Sequence, residues 1–462
     1  MKKLAFAAAF LFSPVAVFAQ SAQELHDARY DRALAAGYKA LFLCSAIGNA
    51  ERNAAARTPE SVHQWELTGI QAPLNDIIQD MPYEIVRRPS GQIGHVAVEW
   101  ADDMPARTAV YFAASGCSIL PIGAPQDWGA SDNPLPVPAG ENATAESSAS
   151  ADSSLSPVFD DALAEKYGAG TRTTAVLVRK VENGKITSQS DRYADGFDGK
   201  TPQRTWSVAK SIAATFVGMA VQSREFSVDD PVNMNYWLQG GTSDPRNAIT
   251  IDHMLRMASG RYTDTPGNRT DPLYWGGSSV NEQAVQWPII HKPGTKFRYS
   301  NNDTLMAIKA IGDYVLYYPA PELLERIDMN NTVVESDIRG DYVLSSQVWA
   351  TAPDLANLGQ LYLNKGMWNG TRVLPENWTD YVSSPSGPQP EGRPFGYGAG
   401  FWLLNNSDGV PPDTFAALGN RGQHVVIVPS RNIVIVRRGE DPAGNRFDIA
   451  AFTKDVLAAL EN

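Results

Sequence analysis

"RTWSVAKSIAATF", residues 204–216, sets Ser207 one helical turn ahead of Lys210 and follows the pair with an apolar, helix-periodic run. Two readings fit. In one, Ser207 is a nucleophile whose backbone N–H is among the unpaired donors of a helix N-terminus, where a developing oxyanion is stabilised. Lys210, at i+3, then projects from the same helical face. Its apolar neighbours desolvate the ammonium and lower its pKa toward that of a general base. In the other reading the serine caps a helix and the lysine is solvated. About one S-x-x-K match is expected by chance in a chain this rich in Ser and Lys, so the rest of the sequence must decide.

The deciding company is "PGTKFRYSNND", residues 293–303. Tyr299-Ser300-Asn301 is a Y-x-N element between a Pro-Gly turn and the predicted helix "TLMAIKAIGDYV". A phenol held near a lysine ammonium loses its proton more readily and can relay protons between nucleophile and leaving group. Rival patterns are missing: the sequence holds no G-x-S-x-G, H-E-x-x-H, P-loop or C-x-x-C. The six histidines, at 26, 63, 95, 253, 291 and 424, show no metal-ligand spacing. Neither a metal nor an organic cofactor is expected.

An S-x-x-K, a later Y-x-N and a Gly-bearing terminal strand, in that order, resemble the serine β-lactamase/penicillin-binding-protein superfamily. The likeness is to its class C and esterase-like branch. "FSVDDPV" (226–232), "ITIDHMLRMASG" (249–260), "KPGTKFRYSNND" (292–303) and "ATAPDLANLGQLYLNKGMWNG" (350–370) read like that branch's intervening segments. "WSVAKS" and "GNRGQ" look most like the 6-aminohexanoate-dimer hydrolases. The resemblance spans about two thirds of the chain.

It implies Ser207 as the acylated nucleophile, Lys210 as its base, Tyr299 as acid/base partner and Asn301 as a hydrogen-bonding support. The branch's third element, K-T-G or H-x-G, stands ten residues before a proline. Counting back from Pro429 gives "ALG" (417–419), and the N–H of Asn420 would complete the oxyanion hole with that of Ser207. A second register uses "NRG" (420–422) and moves that donor to Gln423. Ala417 and Leu418 cannot hold a substrate carboxylate, which disfavours β-lactams and D-Ala-D-Ala peptides relative to small esters and linear amides. Arg421 either restores that charge in the pocket or is a surface arginine in a turn. Tyr262 is either a pocket-wall aromatic or a packing residue, and Trp206 is read as core. A non-catalytic binding protein on the same scaffold is the reading from another class.

Around this region the chain divides. Lys2 and Lys3, the apolar "LAFAAAFLFSPVAVF" and Val17-Phe18-Ala19 read as an export signal cut after Ala19, too short and Pro-interrupted for a lasting anchor. No other run approaches membrane-spanning length, so a periplasmic or secreted protein without a membrane anchor is expected. Residues 20–128 read as a small α+β domain: a helix over 22–56, then strands "YEIVRR", "GHVAVEW" and "RTAVYFAAS". Residues 129–157 hold seven Ser, four acidic residues and no Lys or Arg, the composition of a linker. From residue 158 to the end, strands at both ends with helices between predict an α+β fold. One antiparallel sheet joins both ends of this segment, flanked by helices and a helical lobe. At 462 residues two domains are expected. The net charge of −12 argues against a nucleic-acid partner. Cys44 and Cys117 are candidates for one disulfide if the chain is exported.

Overall fold

The computed structural model describes residues 21–125, 152–238, 244–263 and 270–461. The expected signal (1–19) and residues 129–151 of the expected linker lie outside the described residues. Helix α1 (Ala22–Arg52) opens with a capping box in which Ser21 and Glu24 satisfy each other's backbone N–H. Every residue of α1 from Ala33 to Ala50 is buried. Contrary to the sequence reading, α1 is long and apolar enough to cross a membrane, but its apolar window lies wholly inside the protein. It is a core helix.

Helix α1 packs on an antiparallel meander of β1 (Tyr83–Arg87), β2 (Ile93–Val98), β3 (Arg107–Phe112) and β4 (Gly116–Ile119). Strand β4, "GCSI", was hidden from a periodicity reading by its four-residue length. It carries Cys117, which forms a disulfide with Cys44 of α1.

Beyond the meander, helix α2 (Ser156–Leu163) begins two residues before the predicted start. A 3-10 turn over Ser153–Leu155, capped by Asp152, precedes it. The last residues of the expected linker are therefore ordered, because Leu155 is buried in the core beneath α2. Strands β5 (Thr173–Glu182) and β6 (Lys185–Tyr193) form the predicted hairpin, with Asn183 (φ 50°) and Gly184 (φ 77°) making the two-residue turn.

Helices α3 (Ala209–Gln222), α4 (Asn301–Ala310) and α5 (Ala352–Leu363) belong to the long middle. After them come β7 (Gly396–Tyr397), β8 (Trp402–Leu403), β9 (Phe415–Gly419), β10 (Gln423–Val428) and β11 (Ile433–Gly439), then α6 (Ile449–Ala459). The sheet order is β7-β8-β9-β10-β11-β5-β6, antiparallel throughout. The early hairpin thus pairs with the last strand, as the sequence predicted.

Both faces of this sheet are covered. Along β5, Ala175 and Leu177 join the core shared with α3 and α5, while Val176 and Val178 join the core under α2 and α6. Two-sided burial explains why "TTAVLVRKV" is almost continuously apolar instead of alternating.

The first core does not stop at the larger unit. It runs through α1, where Phe42 lies within 5.8–6.1 Å of the rings of Trp206, Trp275 and Trp349. A helix apolar on all sides cannot be covered by one small sheet, so α1 fills its remaining surface against the larger unit.

Glu335 reinforces that seam, its Oε1 accepting from Asn49 Nδ2 of α1 at 3.3 Å and from the Cys117 N–H of β4 at 3.1 Å. Complete burial pushes this carboxyl up to about 7. A folded-state pKa above the unfolded one means that stability is fully present below about pH 4.5 and is lost as pH rises through 7. Glu335→Gln keeps the acceptor and removes the charge. It is expected to melt with the parent near pH 5 and to be more stable by about 1–3 kcal/mol at pH 8, measured by calorimetry at both values. Equal melting at pH 8 would show that the carboxylate carries no burial cost.

Candidate active site

Ser207 lies in a 3-10 turn, Trp206–Val208, that runs directly into α3. The residue before it, Trp206, is held at φ 50°, a left-handed conformation that costs a non-glycine residue about 1 kcal/mol or more. Packing over-determines it. The Arg204 guanidinium lies 4.2 Å from the Trp206 ring centroid, and the Trp275 ring meets that indole edge-on at 6.2 Å. Arg204 is itself fixed by Ser346, through its carbonyl at 3.2 Å and its hydroxyl at 2.9 Å. Trp206 is thus core, as read, and the turn it makes leaves Ser207 half-buried at the edge of solvent.

Lys210 is buried on the first turn of α3. Its Nζ stands 3.1 Å from Ser207 Oγ, 2.5 Å from Asn301 Oδ1 and 2.9 Å from the Ser345 carbonyl. Two of these oxygens can only accept. A neutral amine would give its two N–H bonds to them and turn its lone pair to the Ser207 hydroxyl. An ammonium would donate to all three. One geometry therefore serves both protonation states, as a proton-accepting base requires. Asn301 is oriented by its own donation to Thr270 Oγ1 at 3.0 Å.

Tyr299 lies just before α4, whose N-cap Ser300 accepts from the Asp303 N–H. Ser207 and Trp402 stand near its phenol and pull its pKa down. Lys210 Nζ sits over the ring face, 5.0 Å from the centroid. Burial pushes the phenol up to about 12, more than its hydrogen bonds and the charge of Arg393 pull it down. The sequence reading had a nearby ammonium easing this proton off. The structure instead keeps Tyr299 a neutral phenol at neutral pH, which is a proton donor.

The third element arrives on β9. At Gly419 a Cβ would press on the Thr205 carbonyl and lie 3.2 Å from the Ser207 backbone N, so only glycine lets the strand end come this close. Asn420 follows, with an exposed side chain. In the other register, Gly422 faces Arg437 and Asp441, and Gln423 pairs with Gly419 in the β9–β10 ladder.

Two candidate pocket residues are corrected. Arg421 is buried away from Ser207, paired to Glu440 at 2.6 Å and donating to the carbonyls of Trp65, Thr68 and Gly69. It ties the larger unit to the N-terminal segment, neither lining the pocket nor lying on the surface. Gln423 is buried too, its amide bonded to Gly439 and Arg438. Tyr262 is exposed and contacts Trp287 and Arg298, and the structure does not bring it to Ser207.

Sequence reasoning missed Ser345, Thr270 and Trp402. A main-chain acceptor such as the Ser345 carbonyl has no sequence signature. Trp402 had one clue, its place in the Gly-rich strand pair "GYGAGFWLL".

Residues 161–460 match the Beta-lactamase family. The chain belongs to that family. Its fold is similar to that of a putative 6-aminohexanoate-dimer hydrolase from Bacillus anthracis, at 20% identity and a TM-score of 0.52, over 65% of this chain and 80% of that one. A penicillin-binding-protein homologue from Caulobacter crescentus aligns at 15% identity and a TM-score of 0.52, over 66% and 96%. An uncharacterised protein of Alkalihalophilus pseudofirmus is 21% identical over 273 residues, 55% of this chain and 80% of its own. Family membership supports serine-hydrolase-type activity. The match begins beyond α1 and β1–β4.

Proposed function

We propose that the protein is an exported serine hydrolase that cleaves a small ester or linear amide through an acyl-enzyme on Ser207. The observation that carries this reading is the contact set of Lys210, two acceptor-only oxygens and the Ser207 hydroxyl. Ser207 Oγ attacks the carbonyl carbon and its proton passes to Lys210 Nζ. The backbone N–H groups of Ser207 and Asn420 receive the oxyanion. As the tetrahedral intermediate collapses, the C–O or C–N bond breaks and the Tyr299 phenol protonates the leaving group. The Lys210 ammonium then returns a proton to the phenolate. Water attacks the acyl-enzyme by the reverse relay and frees the acid.

Ala417 is buried and Leu418 packs into the second core, so neither offers a charge for a β-lactam carboxylate. A linear amide fits better, and the Bacillus anthracis neighbour is named a putative 6-aminohexanoate-dimer hydrolase. Export is supported by the disulfide and by Ser21, the α1 cap, which would survive a cut after Ala19.

The test is a fluorophosphonate probe on the purified mature protein, with the adduct mapped by mass spectrometry. Labelling at Ser207 that weakens in Lys210→Ala is expected, together with no turnover of a chromogenic cephalosporin. An unlabelled protein would favour the non-catalytic reading, and cephalosporin turnover the β-lactamase one.

A further inference from the structure

With Ala417 and Leu418 in its third element, β9 gives the Tyr299 phenol no side-chain donor. The neighbouring strand does. Trp402, on β8, stands opposite Ala416 in the register and lays its ring against Tyr299, with centroids 5.4 Å apart and planes tilted by 37°. Its one polar atom is the indole N–H, and Trp402 stands near enough to the phenol to pull its pKa down.

Trp402 is itself held firmly. Tyr397 meets Trp402 edge-on at 5.0 Å and Tyr299 edge-on at 6.0 Å. The turn between β7 and β8 is seated on the nucleophile helix, with Ser211 Oγ donating to the Gly400 carbonyl at 2.6 Å. A Cβ at Gly400, where φ is 79°, would lie 2.7 Å from the Ala214 side chain, so β8 is docked on α3 as closely as the backbone allows. The element that carries Lys210 therefore also sets where Trp402 stands.

We propose that Trp402 is the positioning residue of the proton relay: its indole N–H donates to Tyr299 Oη, aims the phenolic proton at the leaving group and stabilises the phenolate left behind. This rests on the Ser207 reading above. A phenol oxygen has two acceptor sites and one proton, so an indole N–H in one acceptor site leaves the proton free to be given away. Tyr299 is half-buried against the rings of Tyr397 and Trp402, which cannot solvate a phenolate, and a fixed donor does so without reorganisation.

The proposal distinguishes substrates by leaving group. p-Nitrophenolate leaves unprotonated, whereas an alkoxide does not. In Trp402→Phe, kcat/KM for ethyl butyrate, which reads the steps up to loss of the leaving group, is expected to fall about ten- to a hundredfold, the size of one hydrogen bond lost to a developing charge. The value for p-nitrophenyl butyrate should stay within about threefold. Trp402→His, which keeps an N–H, should recover part of the ethyl-ester rate. In a Tyr299→Phe background Trp402→Phe should cost nothing more, because the two residues act as one unit.

Equal losses on both esters, no loss on either, or additive losses in the double variant would overturn the role assigned to Trp402. Fluorophosphonate labelling of Ser207 is run alongside. Labelling that persists in Trp402→Phe confines any failure to this proposal, whereas an unlabelled parent protein sinks the hydrolase reading itself.

Discussion

Lys210→Ala is expected to lower kcat/KM for p-nitrophenyl butyrate by about a thousandfold or more, and to slow fluorophosphonate labelling of Ser207 in parallel. Loss of a positioned general base costs about 10²–10⁴ in rate. Here one side chain is base, orienter and counter-charge together, and residues that act as a unit show the whole loss on removal of one. Both measurements read the same acylation step, so they should fall together.

The variant also takes a donor from the Asn301 amide oxygen and the Ser345 carbonyl, both buried. A stability loss of about 1–3 kcal/mol is expected from that alone. Rates are therefore compared well below the variant's melting temperature. A small primary amine, admitted to the space the side chain leaves, should restore part of the labelling rate. A variant that labels as fast as the parent would show that Ser207 draws its reactivity from elsewhere.

Where the sequence could be read, and where it could not, follows from the kind of interaction involved. Ser207, Lys210, Tyr299 and Asn301 are side chains at fixed positions on two helix starts, and the structure gathers the other three around Lys210 Nζ. Periodicity likewise marked the β5–β6 hairpin, α6 and most of α1. Arg421 was misread because an arginine beside a catalytic glycine looks like a pocket charge. Its partners, the Glu440 carboxylate and three carbonyls between Trp65 and Gly69, are distant in sequence, and three of these four are backbone. Such an ion pair is visible only once the chain has folded. Strand β4 was missed because four residues are too few to show a period. The shared core was missed for a different reason. Composition predicts that α1 is buried, but does not say against what.

That shared core makes the second large effect one of stability. Cys44→Ser/Cys117→Ser is expected to lose about 4 kcal/mol, because the disulfide closes a span of 73 residues and its removal frees that loop in the unfolded chain. Cys44 lies two residues from Phe42, whose ring packs against Trp206, the residue that sets the turn into Ser207. If the N-terminal segment were a separate domain, it would melt first and leave the hydrolase working. With one core through both, α1 cannot leave without uncovering Trp206, Trp275 and Trp349. The variant should therefore show one thermal transition by circular dichroism, shifted down, with Ser207 labelling lost at that same lowered temperature. Below it the labelling rate should match the parent's, because the disulfide touches none of the reacting groups. Labelling that outlasts the first transition would mean that α1 and the nucleophile unfold separately, and that the N-terminal segment is a passenger of the catalytic fold.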